Sequence, residues 1–123
     1  MTHSTKTLRK ADLYQFTGSE YWYRHAFVCS VRYTDGAKYV AEAGGAYWLL
    51  DEIAFAQKDI AAVAAEEFQI WKLHVQPDSS GTLTCEDGNG NVIFRKPLEY
   101  TDFPLDEITL FFTNNVILLP SEY

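Results

Sequence analysis

The hydrophobic repeat of this chain changes part-way along its length, and that change limits the architecture more than any other feature. In Ala46-Tyr-Trp-Leu-Leu-Asp-Glu-Ile-Ala-Phe-Ala-Gln57, residues Tyr47, Trp48, Leu49, Leu50, Ile53, Ala54 and Phe55 cover most of a helical circumference. This predicts a largely buried helix with Asp51 and Glu52 facing outwards. From residue 70 onwards the spacing is two. Trp71, Leu73 and Val75 alternate with Ile70, Lys72 and His74, while Leu83 and Cys85 alternate with Thr82, Thr84 and Glu86. Such alternation suits half-buried strands and cannot serve a helix.

Turn residues divide both halves. Asp87-Gly-Asn-Gly-Asn91 offers positions that tolerate positive φ and predicts a hairpin joining 82–86 to 92–100, within which Pro97 marks an edge, a bulge or a break. Asn114-Asn115 predicts a second hairpin between 108–113 and 116–119. Upstream, a short helix runs from a Thr7 cap through Leu13 and Phe16 to Gly18. A strand over 26–33 then closes at Thr34-Asp35-Gly36, Asp35 caps a helix over 37–43 that Gly44-Gly45 breaks, and Asp59 caps an Ala-rich turn over 60–66. The expected fold is α+β: a single domain over 1–123, with N-terminal helices packed on one face of a mainly antiparallel sheet of four or five strands formed chiefly by the C-terminal half. Trp48, Leu50, Ile53, Trp71 and Leu73 are its expected core.

Composition narrows the function classes. Hydrophobic residues make up 47% of the 123 and charged residues 22%, which excludes a disordered or low-complexity chain. The net charge of −7 disfavours binding phosphate backbones through a broad basic face, so no direct nucleic-acid partner is expected. The excess acid is confined to residues 59–123, which hold eleven carboxylates against three basic side chains. That half-surface aids solubility and suits a basic protein partner, or a mimic of nucleic-acid charge acting on a defence protein. Cys29 and Cys85 are too few and too far apart for a disulfide framework, and no apolar run exceeds six residues, Ala46 to Leu50 holding five and Ile60 to Ala65 six, so no membrane span and a cytoplasmic location are expected.

Several strings are characteristic when taken together: Phe16-Thr-Gly-Ser-Glu20, Tyr23-Arg-His25, Ala46-Tyr-Trp-Leu-Leu-Asp-Glu-Ile53, Phe68-Gln-Ile-Trp-Lys-Leu73, Leu83-Thr-Cys-Glu-Asp-Gly88, Glu99-Tyr-Thr-Asp-Phe-Pro-Leu105 and Leu119-Pro-Ser-Glu-Tyr123. From about Leu13 to Tyr123 the chain resembles a small bacterial family of unknown function that is met often on plasmids and other mobile elements. The resemblance implies no catalytic mechanism and, by association, an accessory or regulatory role.

Arg24, His25 and Asp51 are the candidate catalytic residues, because a guanidinium, an imidazole and a carboxylate that converge can bind an anion and move a proton. A small-molecule enzyme or binder would use them in a pocket roofed by Tyr23, Tyr47 and Trp48. The structural alternative has Arg24 paired with a carboxylate and His25 donating to backbone. Tyr21, Trp22, Tyr23 and Tyr47 are the candidate binding residues, as a ligand pocket or an exposed protein-contact patch. His25 and Cys29 with His74 or Cys85 make only a weak metal pattern, since CxxC, HxxxH and HExxH are all missing, so no metal and no cofactor is assigned. The tail from Leu118 to Tyr123 is expected to dock on the sheet. A non-enzymatic role through protein contact fits best, and an unpaired edge strand offers a second copy of the chain as another partner.

Overall fold

The computed structural model describes residues 8–17 and 21–123. Among them the chain forms β1 (Trp22–Arg24), β2 (Arg32–Thr34), α1 (Asp35–Ala43), α2 (Tyr47–Asp59), α3 (Ala61–Ala64), β3 (Phe68–Val75), β4 (Gly81–Glu86), β5 (Val92–Leu98), β6 (Glu107–Thr113) and β7 (Val116–Leu118), with 3-10 turns at Lys10–Gln15 and Pro120–Glu122. The α+β class holds, and the sheet is larger than expected. Its seven strands run in the order β1-β2-β7-β6-β3-β4-β5. β2 and β7 pair in parallel, whereas the other neighbours are antiparallel. The two extra strands come from the N-terminal half, where three residues are too few to display a period of two.

The expected strand over 26–33 is divided for a local reason. His25 Nδ1 accepts the backbone N–H groups of Phe27 (3.1 Å) and Val28 (3.0 Å), which removes both amides from any ladder. Residues 25–31 therefore form a loop, closed by His25 N donating to Val31 O at 2.8 Å.

α1 is capped by Thr34, whose Oγ1 accepts the Ala37 N–H, and not by Asp35, which is the first helical residue. Asp59 likewise ends α2 and caps nothing, since α3 follows Ile60 without a side-chain cap. The first helical segment is a 3-10 turn, and its expected cap Thr7 and stop Gly18 lie outside the described residues. The other punctuation matches expectation. Gly45 breaks the α1–α2 junction at φ 62°, and Asn114 and Asn115 turn the β6–β7 hairpin at φ 53° and 64°. Pro97 lies opposite Thr82 on β5, an edge strand, the place in a sheet where proline is tolerated.

One face of the sheet carries Trp71, Leu73, Leu83, Cys85, Ile108, Leu110, Phe112 and Ile117, and it packs with Val40, Leu49, Leu50, Ile53, Ala54 and Val63 of the helices. Trp48 lies at the margin of this core, partly exposed. Gln69, fully buried at 0% exposure, joins the two layers. Its Nε2 donates to Gln57 Oε1 and to the Val63 and Glu66 carbonyls, while its Oε1 accepts from Gln57 Nε2 and Trp71 Nε1. Every polar atom of this buried amide is satisfied, so it fixes α2 and α3 over β3 without a desolvation penalty.

The tail docks as expected. Glu122 Oε1 accepts from Thr34 Oγ1 at 2.6 Å and Leu119 N at 2.9 Å, and Oε2 accepts Gly36 N at 3.1 Å, which places a carboxylate at the N-terminus of α1. Tyr123 packs on Phe68 and Phe111 on the sheet face away from the helices.

Candidate functional site

Strand β1 sorts the candidate side chains by its pleat. Tyr23 faces the helices, while Trp22 and Arg24 face the opposite side of the sheet. His25 follows on the helix side, only 3% exposed, and its Nε2 lies 2.7 Å from Asp51 Oδ1 on α2. Two backbone N–H groups point at Nδ1, so that nitrogen carries the lone pair and Nε2 carries the hydrogen that it donates to Asp51. The structure thus brings His25 and Asp51 together and leaves Arg24 apart. In place of the structural alternative read from the sequence, His25 accepts from backbone rather than donating to it. Arg24 has no carboxylate within ion-pair distance among the described residues.

With both ring nitrogens engaged, His25 acts as a clamp: it holds the 25–31 loop on one side and the Asp51 carboxylate on the other. Asp51 keeps 42% of its side chain exposed, and no protein donor reaches its second oxygen among the described residues. The loop in turn presents Phe27, which is 71% exposed and stacks on Phe55 of α2 with ring centroids 6.2 Å apart. The His25 ring meets both phenyl rings edge-on.

Tyrosines continue this surface. Tyr23 stacks on Tyr33 at 5.7 Å, donates its hydroxyl to Asp35 at 2.8 Å and carries the Lys38 ammonium over its ring at 4.4 Å. The bond to Asp35 holds the Tyr23 phenol above its ordinary range. Tyr47 donates to Glu42, and partial burial together with that carboxylate pushes its phenol up to about 12. Burial and the charges of Glu42 and Asp51 raise Tyr33 as well. Of the candidate binding residues, Tyr23 and Tyr47 share this rim, Tyr21 is exposed at the start of β1, and Trp22 lies on the far side of the sheet. Phe27, Phe55 and Tyr33 were not among the candidates. A strand over 26–33 has no loop to expose Phe27, and an α2 that is largely buried with Asp51 and Glu52 outward counts Phe55 among its buried residues.

The other sequence candidates separate. Cys85 is buried on the helix side of β4, where burial, then the charges of Glu66, Glu86 and Asp87, pushes its thiol up to about 12. His74 faces the other side of β3, and the exposed Cys29 sits on the 25–31 loop. Among the described residues no three His, Cys, Asp or Glu side chains group as metal ligands. The acidic half is not one patch of unengaged carboxylates. Glu86 pairs with Lys72 at 3.1 Å, Glu107 sits 3.8 Å from His74, and Asp78 and Asp87 accept hydrogen bonds within their own turns.

A family model covers residues 7–123, nearly the whole chain. The chain belongs to the family of unknown function DUF6876. No curated protein and no solved structure matches it. Membership of DUF6876 carries no assigned activity, so the chemistry of the site rests on its own geometry. Among the described residues, no helix is long and apolar enough to cross a membrane.

Proposed function

We propose that this DUF6876 protein is a non-enzymatic accessory or regulatory protein of the bacterial cytoplasm that binds a protein partner through the aromatic surface around Phe27, Phe55, Tyr23, Tyr33 and Tyr47. The observation that carries this reading is the clamped presentation of Phe27. A large apolar ring is held out in water on a loop whose conformation the buried His25 fixes from within. A pre-ordered exposed aromatic loses little entropy on binding, and tyrosine-rich aromatic clusters are the usual energetic centres of interfaces. Asp35, Glu42 and Asp51 stand around the rings, so the complementary partner is a protein surface with lysine or arginine around an apolar recess. The resemblance to a family met on mobile elements accords with an accessory role.

The test uses the full chain as bait. Wild type is expected to retain a partner whose binding weakens as salt rises. Phe27→Ser with Phe55→Ser is expected to lose that same partner, and Asp51→Asn, which removes the charge but keeps an acceptor for His25, to weaken it, both with wild-type circular dichroism, while Arg95→Gln on the opposite sheet face is expected to keep it. Equal recovery by all baits, or binding indifferent to salt, would overturn the reading.

A further inference from the structure

The sheet face away from the helices holds a second site that the aromatic surface does not use. Arg24 and Arg32 are directly opposite each other on β1 and β2. Like charges in that position repel, and neither guanidinium has an ion-pair partner among the described residues. Arg32, with Arg24 behind it on β1, lines a cleft of 590 Å³, within the roughly 300–1,000 Å³ usual for small-molecule sites. Val116 and Leu118 supply its apolar lining, Trp22 and Tyr123 its aromatic rings, and Arg32, Thr34, Thr113 and Asn114 its uncharged and basic polar groups. Glu122 also reaches the cleft, but its two oxygens accept from Thr34, Leu119 and Gly36 and are committed to the cap of α1.

We infer that this cleft binds a small organic anion, with its apolar or aromatic body lying on Val116 and Leu118 against Trp22 and its carboxylate or phosphate held by Arg32 with Arg24 alongside. A planar guanidinium matches either head group with two parallel hydrogen bonds. A bound anion would also relieve the Arg24–Arg32 repulsion. The inference is independent of the protein-partner reading, because the residues belong to the opposite face of the sheet.

Titration of the full chain with naphthoate, naphthyl phosphate and neutral naphthamide, followed by amide and indole NMR shifts, tests it. At least one of the two anions is expected to move the Trp22 indole and the Arg32, Val116 and Leu118 amides, and their relative affinities identify the head group. Arg24→Gln with Arg32→Gln is expected to weaken binding about tenfold or more, the loss of roughly one charge-assisted pair. Both arginines are exposed, so the variant tests the charge without disturbing the core. Naphthamide binding as tightly as the anions, unchanged affinity in the double variant, or shifts confined to Phe27 and Phe55 would each overturn the inference.

Discussion

Replacing His25 with phenylalanine keeps a flat ring against Phe27 and Phe55 but removes the acceptor of two backbone N–H groups and the donor to Asp51. The Val28 amide is buried and would lose its partner without gaining water, and the buried imidazole would no longer hold Asp51, so about 1–3 kcal/mol of stability should go. Asp51→Asn retains a side-chain oxygen that can accept from Nε2, and it should cost less than about 1 kcal/mol. Urea denaturation of the two variants checks the pair of values, and an unchanged midpoint for His25→Phe would show that the clamp adds no stability. The meeting of His25 with Asp51 was within reach of the sequence, since both were candidates on the grounds of chemistry. The acceptor role of Nδ1 was not, because whether a histidine accepts from the next turn of chain depends on a loop conformation that neighbouring residues do not encode in any periodic way.

Among the elements, Asn114 and Asn115 occupy the two positive-φ positions of the β6–β7 turn. Asn115→Gly should therefore raise stability by a few tenths to about 1 kcal/mol, and Asn115→Val should lower it, as thermal unfolding would register. Gly36 behaves in the opposite sense. A Cβ there would stand 2.5 Å from Glu122 Oε1 and 2.7 Å from Leu119 Cδ1, so Gly36→Ala should destabilise despite alanine's greater helix propensity. A thermal midpoint above wild type for this variant would contradict the close docking of the tail on α1. Elements with strong local signals were legible: α2 from its apolar circumference, β3 and β4 from their alternation, and both C-terminal hairpins from Asn and Gly turns. β1 and β2 were not legible. Each is three residues long, and their places in the sheet depend on distant β7 and on the His25 loop rather than on their own pattern.

For the molecule as a whole, the raised Tyr23, Tyr33, Tyr39, Tyr47 and Cys85 groups act in one direction. The unfolded chain releases its thiol proton near 9.0 and its phenolic protons near 10.0, whereas folded Cys85 and Tyr47 hold theirs until about 12. The stability these groups contribute is complete below the unfolded values and declines as pH rises through this interval, so urea midpoints should fall across it. Among the described thiols, a reagent at mildly alkaline pH should find Cys29 quickly, and Cys85 only at the rate of global unfolding. Fast reaction at Cys85 in the Cys29→Ser background would mean that the core opens locally. The parallel pairing of residues 32–33 with 116–117 has a further consequence for how the molecule is made. On the ribosome, the N-terminal β-ribbon emerges long before the strand that stitches it into the sheet, so it waits with an unsatisfied edge while β3 to β6 zip together locally. The same late-closing seam should be the first to reopen, with amide exchange at Arg32 and Tyr33 outpacing that at Trp71 and Leu110.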